Sequence, residues 1–264
     1  MFRNVRIVTK KIWERISGIE PRRLWLQLTN TQNELTNIRT QRQHRLHPYI
    51  LEALNLVAPE LLSITEAPID YDYRKSKFTK FGSDKDVRHS YGGIYLKLLE
   101  TKANPKILEI GVGSLNDFPY AGLSAGGGLK AFKKIIPDSC IIGLDIDPES
   151  IEIIERDGFT GFVVDQTSKE SLIEVKNKLL AFPRFDLIID DGFHDPHANL
   201  RTLISLFELL DEHGAYVIED VHETLIDFWK TISEYLPGTL EIVDMRELRP
   251  GVDDNILLIL RKRV

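Results

Sequence analysis

The chain has 264 residues, of which 42% are hydrophobic and 28% charged, and its formal net charge is −6. This size supports one large hydrophobic core with a smaller appendage, and the acidic balance argues against a general nucleic-acid binder. A single cysteine, Cys140, excludes an internal disulfide and is typical of a reducing compartment. The basic start, residues 1–13, has no continuous apolar core and so is not a secretory signal, and no run reaches the roughly 20 apolar residues that cross a bilayer. We therefore expect a soluble, cytoplasmic protein without a membrane span.

Residues 1–45 differ from the rest of the chain in charge. They contain ten basic and three acidic residues, a net charge of about +7, which leaves about −13 for the remainder. Their low glycine and proline content and loose leucine periodicity predict a solvated helix or a pair of helices. Two other interpretations stay open. One is an arm that forms a homo-oligomer, and the other is a basic surface that meets anionic lipid or glycan, with Trp13 and Trp25 as anchors.

The next two segments lead into the main domain. Residues 46–66 carry apolar side chains at helical spacing, which predicts a short amphipathic helix. Residues 67–88 are polar and contain glycine and proline, which predicts a loop. The chain is thus expected to divide into a helical N-terminal extension, residues 1–79, and a main domain, residues 80–264.

Strands and helices alternate from Ser90 onward. Apolar runs predict seven strands, over residues 106–110, 140–144, 161–164, 187–189, 215–218, 240–243 and 256–260. Helical patterns lie between them, over residues 90–99, 123–136, 151–156, 171–180, 200–210 and 224–236. This alternation predicts an α/β fold with a mostly parallel sheet and right-handed crossovers.

Acidic side chains stand where two of the predicted strands end. Asp190 and Asp191 follow one strand, with His194 close behind, and Glu219 and Asp220 follow the next strand along the chain. Open α/β sheets bind ligands at the carboxyl ends of their strands, so we expect these groups at one edge. Carboxylate ligands with one imidazole indicate a divalent cation and a proton acceptor. One of the adjacent aspartates, Asp190, is expected to face backbone or a helix rather than the metal.

A glycine turn, Gly111-Val112-Gly113, follows the first predicted strand and permits close approach of a ligand to the backbone. The dinucleotide fingerprint requires a third glycine where this chain has Asn116, which argues against NAD. The second and third strands end at Asp145 and Asp165. The first can accept two ribose hydroxyls, and the second can bind an adenine amino group.

These motifs together resemble class I S-adenosylmethionine-dependent methyltransferases. Within that class they are similar to the metal-dependent O-methyltransferases of macrolide deoxysugars, of the macrocin and mycinamicin type. The residues that carry the resemblance are Phe81-Gly82-Ser83-Asp84-Lys85 with His89 and Tyr91, Ile107 to Gly113, Ser124 to Gly128, Gly143-Leu144-Asp145, Val164-Asp165, Asp190 to His194 and Val217 to Asp220. The likeness covers about residues 80–260, and residues 1–79 have no counterpart in it.

The resemblance implies a Rossmann-like methyltransferase sheet of seven strands with the last strand antiparallel, and S-adenosylmethionine and Mg²⁺ as cofactors. The acceptor it implies is a hydroxyl of a sugar or of a glycosylated small molecule. It assigns His194 as the general base. The implied metal ligands are Asp191, Glu219 and Asp220. The implied cofactor contacts are Glu109, Gly111, Gly113, Asp145, Asp165 and Asp190.

The chain departs from the family pattern at two positions, and two other functions stay open. Phe193 stands where the family often has a small residue, and Ala198 stands where it often has a second histidine. One alternative is a metal-dependent hydroxylase of the cephalosporin type, although iron sites usually use two histidines and only His194 is well placed. The other is a non-catalytic interaction module that acts through residues 1–79. His89 is expected either to contact substrate or cofactor or to pack within its loop.

Overall fold

The computed structural model describes residues 62–66, 72, 75–113 and 123–262. All of these residues lie within residues 56–264, which form one compact unit of the chain. The predicted helices and the oligomerisation arm of residues 1–45 therefore lie outside the described residues and stay predictions. No helix in the described ranges is long and apolar enough to cross a membrane.

Eight strands form one sheet in the described part of the chain. They are β1 (Leu62–Glu66), β2 (Lys106–Ile110), β3 (Cys140–Asp145), β4 (Thr160–Val163), β5 (Phe185–Asp190), β6 (Leu210–Ile218), β7 (Gly238–Asp244) and β8 (Ile256–Lys262). Their order across the sheet is β1-β7-β8-β6-β5-β2-β3-β4. Strand β8 is antiparallel to both of its neighbours, and the other pairs are parallel. All seven predicted strands are present, and the antiparallel direction of the last one is confirmed.

Strand β1 is an addition to the predicted sheet. It pairs in parallel with β7 along its whole length, from Leu62 opposite Leu240 to Glu66 opposite Asp244. The expectation of a helix over residues 46–66 is therefore wrong for residues 62–66. The exposed edge of a neighbouring strand offers unpaired backbone groups, and this pairing can override a short helical pattern. The sheet thus includes residues assigned to the extension, while the division of the chain at residue 79 stays a prediction.

The described α-helices lie on both faces of the sheet and just before its first central strand. They are α1 (Lys77–Lys80), α2 (Asp84–Val87), α3 (Gly92–Leu99), α4 (Gly127–Ile135), α5 (Pro148–Arg156), α6 (Lys169–Leu179), α7 (Pro196–Leu206) and α8 (Ile226–Ile232). The expected loop over residues 67–88 is wrong at α1 and α2. Each of these begins at a serine, Ser76 or Ser83, whose hydroxyl accepts a backbone N–H of the first turn. A helix of four residues is too short to give a periodic apolar pattern, so the sequence did not predict it.

The central strands are buried on both faces. Along β2, Leu108 and Ile110 pack into one core and Ile107 into the other, and β5 divides its residues in the same way. Continuous apolar runs, rather than alternating ones, are what a doubly covered parallel sheet requires.

The connections reverse direction across the sheet between β2 and β5. From β2 the chain runs outward through β3 to β4, and it then returns to place β5 on the other side of β2. The connections that leave β2 and β5 therefore lead to opposite sides of the sheet, and open α/β sheets bind ligands at such a point, outside the carboxyl ends of the strands.

Candidate functional site

A cavity of about 780 Å³ lies at the carboxyl ends of the central strands, at the point where their order reverses. Gly111 and Gly113 line it, and both have left-handed backbone, with φ of 84° and 82°. A Cβ added at Gly111 would lie 2.0 Å from the carbonyl oxygen of Asp191. The loop after β2 therefore touches the loop after β5, and only glycine fits at that contact.

The carboxylates that end β3 and follow β4 both line the cavity. The two oxygens of Asp145 accept the N–H groups of Val112 and Asp147, each at 2.9 Å, which fixes the carboxylate against the glycine turn. Burial raises the pKa of Asp145. One oxygen of Asp165 accepts the hydroxyl of Thr167 at 2.6 Å and its N–H at 2.8 Å, and these bonds lower the pKa of Asp165. Both residues stand where the sequence predicts cofactor contacts.

A buried lysine, which the sequence did not assign to the site, connects three of the acidic groups. The Nζ atom of Lys85 lies 2.7 Å from Asp191 Oδ2, 2.8 Å from Glu219 Oε1 and 3.0 Å from Glu109 Oε1. The lysine side chain is only 1% exposed. Burial disfavours its charged form, but the surrounding carboxylates outweigh this and raise the pKa of Lys85 well above its usual value. This ammonium group is the shared counter-ion of these three carboxylates.

Glu109 and Glu219 are both buried, and of the two only Glu109 lines the cavity. Burial raises the pKa of both carboxyls. Glu219 Oε1 also accepts the hydroxyl of Tyr95 at 2.5 Å. The second oxygen of each, Oε2, is buried and has no hydrogen-bond partner among the described residues. A buried carboxylate oxygen without a partner is costly, so both positions are suited to a further cation or donor.

Asp191, His194 and Asp220 form a group with cation-binding chemistry. One ligand atom from each lies within 4.8 Å of the others, and His194 Nε2 is 3.9 Å from a carboxylate oxygen of both aspartates. His194 and Asp220 have φ of 53°, a left-handed conformation that is uncommon outside glycine and is often found at functional sites. The structure therefore brings together two predicted metal ligands and the predicted base.

Asp190 is fully buried and does not line the cavity, so its expected direct contact with cofactor is not what the structure shows. Its oxygens accept Gln166 Nε2 at 2.7 Å and the hydroxyl of Tyr216 at 3.1 Å. Burial raises the pKa of Asp190 to about 6. The other prediction for this residue, that it faces structure rather than metal, agrees with these contacts.

Gln166 links this buried carboxylate to the loop that carries His194. Its Oε1 accepts the N–H of Phe193 at 2.8 Å, while its Nε2 donates to Asp190. A Cβ added at Gly192 would lie 2.0 Å from the same Oε1 atom. Gln166 also lines the cavity, so one side chain both contacts the cavity and positions the histidine loop.

His89 is fully buried and, with Asp84 and Asp220, belongs to a second group of possible metal ligands, which shares Asp220 with the group that contains His194. Its ring stacks on Tyr91, with centroids 4.8 Å apart and an interplanar angle of 8°. Its Nε2 lies 3.3 Å from Asp254 Oδ1 and its Nδ1 3.2 Å from Asp220 Oδ1. Burial lowers the pKa of His89 to about 4. The hydroxyl of Tyr91 lies 2.9 Å from Asp220 Oδ1 and fixes that carboxylate.

The sequence missed Lys85, Gln166, Tyr95 and Asp254 as parts of the site. Lys85 belongs to a motif that carries the family resemblance, but its role depends on a partner 106 residues away. Nothing in the local pattern indicates such a contact. The acids at strand ends were found because their positions follow from the sheet alone.

Comparison with family models gives no match. Among curated proteins, the chain is similar to 8-demethyl-8-alpha-L-rhamnosyl tetracenomycin-C 2'-O-methyltransferase of Streptomyces olivaceus, at 31% identity over 144 residues, or 54% of this chain and 36% of that protein. It is 29% identical to demethylmacrocin O-methyltransferase of Streptomyces fradiae over 175 residues, 66% of this chain and 42% of that protein. Mycinamicin VI 2''-O-methyltransferase of Micromonospora griseorubida is 34% identical over 118 residues, 44% of this chain and 27% of that protein. The chain thus spans less than half the length of these relatives, and the predicted resemblance is confirmed.

Among solved structures, the chain is similar to MycE methyltransferase from the mycinamycin biosynthetic pathway, in complex with Mg and SAH. One crystal form gives a TM-score of 0.52 at 22% identity, and covers 72% of this chain and 55% of that one. A second crystal form of the same protein gives a TM-score of 0.50 at 22% identity, and the match covers 72% of this chain and 56% of that chain. This likeness confirms the predicted methyltransferase fold.

Proposed function

We propose that this chain is an S-adenosylmethionine-dependent O-methyltransferase whose acceptor is a hydroxyl of a sugar or of a glycosylated small molecule. One observation carries the proposal. A single cavity joins the glycine turn and Asp145 to the acidic group at Asp191 and Asp220. A methyl donor bound at the glycine turn and an acceptor held at the acidic group would therefore lie in the same cavity. The names of the curated relatives describe O-methyltransferases, one of them for a rhamnosyl group.

The donor half of the cavity suits a nucleoside. The left-handed turn at Gly111 and Gly113 exposes backbone without side chains, and Asp145 can accept ribose hydroxyls through the free lone pairs of its oxygens. Asp165 lies farther along the same edge of the sheet and is suited to the base. In this proposal S-adenosylmethionine supplies the methyl group from its sulfonium.

The acceptor half suits a divalent cation such as Mg²⁺. Asp191 and Asp220 would hold it with Glu219, whose Oε2 atom is otherwise without a partner in the described part of the chain. A bound divalent cation lowers the pKa of a coordinated hydroxyl, which is a poor nucleophile at neutral pH. Lys85 holds Asp191 and Glu219 in place before any ligand arrives.

His194 is assigned as the general base. Its Nε2 faces the two aspartates, and its side chain is 39% exposed at the cavity, so an acceptor hydroxyl can reach it. It would accept the hydroxyl proton as the methyl is transferred, a role that contributes about 10²–10⁴-fold in rate. The bond from Phe193 N–H to Gln166 holds the loop and so limits the orientations of the imidazole.

A transfer assay tests the catalytic assignment. Labelled S-adenosylmethionine is incubated with the protein and a panel of glycosides, and S-adenosylmethionine binding is measured by calorimetry. His194→Gln should lower the transfer rate about 10²–10⁴-fold while donor affinity stays within about twofold. His197→Gln is the matched control, because His197 is exposed and does not line the cavity. Equal rates for the two variants would refute the role of His194, and absence of binding heat with folded protein would refute the donor.

The cation is tested separately from the donor. Transfer should require added Mg²⁺ after EDTA treatment, and Asp220→Asn should raise the Mg²⁺ concentration needed for half-maximal rate. Asp195→Asn makes the same charge change at the start of α7 and should behave like wild type, since asparagine also caps helices. Full activity in EDTA would remove the metal from the proposal and leave the donor and the base in place.

A further inference from the structure

We propose that Asp84, His89 and Asp220 form a second divalent-cation site, which shares Asp220 with the first and accepts Mn²⁺, Co²⁺ or Zn²⁺ in preference to Mg²⁺. One ligand atom of each residue lies within 4.8 Å of the others. This site goes beyond the proposed function, which uses the group that contains Asp191 and His194.

The imidazole of His89 has the surroundings of a metal ligand. The side chain is 0% exposed, and its Nδ1 atom is directed toward Asp220 without a hydrogen-bond partner in the described part of the chain. The other ring nitrogen, Nε2, lies 3.3 Å from Asp254 Oδ1. Metal-binding histidines commonly donate their second N–H to a carboxylate, which fixes the tautomer and leaves the first nitrogen free for the ion.

The segment that carries His89 is held rigidly. The guanidinium of Arg249 donates to the carbonyl oxygen of Asp86 at 2.7 Å and to that of His89 at 2.8 Å. Ser90 N–H donates to the buried side chain of Asn255 at 3.1 Å. These contacts tie the end of α2 to the residues before β8. A ligand held in this way loses little conformational freedom when an ion binds.

The local charge leaves room for a second cation. Six carboxylates lie at this end of the cavity, those of Asp84, Glu109, Asp191, Glu219, Asp220 and Asp254. Among the described residues, the lysine and arginine side chains that pair with these carboxylates are Lys85 and Arg88, and Arg88 is 59% exposed. When all six carboxylates are ionised, their charge exceeds that of the two basic side chains and one divalent ion together, and a second divalent ion offsets the excess. Uncompensated buried charge is strongly unfavourable.

Access and ligand chemistry set the choice of ion. Asp84 and Asp220 line the cavity, so an ion can enter from it, and His89 closes the site from behind. Mg²⁺ prefers oxygen ligands alone, whereas an imidazole with two carboxylates suits first-row transition ions. Two cations that share Asp220 would make a two-metal site, a known arrangement for holding two reacting oxygens.

Counting bound Mn²⁺ tests the proposal. The full chain is freed of metal, titrated with Mn²⁺, and the free ion is followed by electron paramagnetic resonance. Wild type should bind two ions per chain, and Asp84→Asn and His89→Gln should each bind one with the second weakened at least about tenfold. Asp253→Asn is the control, because it removes the charge of an exposed neighbour outside the cluster and should keep two.

A nitrogen measurement covers the case in which His89→Gln does not fold. In a His194→Gln background, Mn²⁺ should still show a hyperfine coupling to a histidine nitrogen, and this coupling should change when the protein is labelled with ¹⁵N-histidine. Its absence would overturn the proposal, as would two ions in every variant. The proposal would also be overturned if wild type bound one ion and the Asp84 and His89 variants still bound it. If wild type bound one ion and these variants bound none, the result would support this site and contradict the cation proposed at Asp191 and Asp220.

Discussion

Lys85→Met removes the counter-ion of the buried acidic group and keeps most of the side chain's volume. The ammonium lies within 3.0 Å of three carboxylates, and both Lys85 and Glu219 are 1% exposed. Breaking a buried ion pair by removing one partner costs about 3–5 kcal/mol, because the remaining charge stays buried without compensation. A domain of this size loses about 2–4 °C in Tm per kcal/mol, so we expect a fall of roughly 6–20 °C.

Thermal unfolding without divalent ions measures the effect, with Lys102→Met as the matched control. Lys102 pairs with Asp186 at 2.7 Å, but its side chain is 24% exposed, and such pairs contribute about 0–1 kcal/mol. Burial raises the pKa of Glu109 in the folded protein above its value in the unfolded chain. Without Lys85, ionised Glu109 therefore destabilises the folded state at every pH above its pKa in the unfolded chain. The deficit should therefore shrink as pH falls from about 7 toward 5, and Glu109→Gln added to Lys85→Met should restore part of it. Equal losses for the two lysine variants, or a deficit independent of pH, would refute the reasoning.

Three further changes test the supports of the site. Gly111→Ala should abolish folding or cost several kcal/mol in chemical denaturation, because its Cβ would meet backbone at 2.0 Å; Gly158→Ala, with φ of 87° and nothing within 4 Å, should cost only about 1–3 kcal/mol. Tyr216→Phe removes a bond to the buried Asp190 and should lower the free energy of unfolding by about 1.5–3 kcal/mol, so a loss under about 0.5 would contradict that bond. Asp195→Ala removes the cap that accepts two N–H groups at the start of α7 and should cost about 0.5–2 kcal/mol, whereas an unchanged denaturation midpoint would show that the cap is not needed.

The sequence was sufficient where one local pattern determines the outcome. Long apolar runs that end in acid predicted the central strands, and the parallel order then placed Asp191 and Asp220 at one edge. Each of these follows from residues that are neighbours in the chain or in adjacent strands.

The sequence was insufficient where the partner is distant or the element is short. Strand β1 exists because the edge of β7 is available, which no pattern in residues 62–66 reveals. The ion pairs of Lys85 join α2 to β2 and to the residues that directly follow β5 and β6. The contact of His89 with Asp254 joins residues 165 positions apart. Such contacts depend on how helices pack, which side-chain periodicity does not fix.

The contact between Gln166 and Gly192 has a consequence for how this site can change over evolutionary time. Any side chain at residue 192 would occupy the space of the Gln166 amide, and a shorter residue at 166 would leave the N–H of Phe193 without its acceptor. The two positions are therefore expected to vary together: a protein that gains bulk at 192 needs a smaller neighbour at 166 and a new anchor for the loop. Directed evolution toward other acceptors should recover paired substitutions here, while single substitutions at either position are lost.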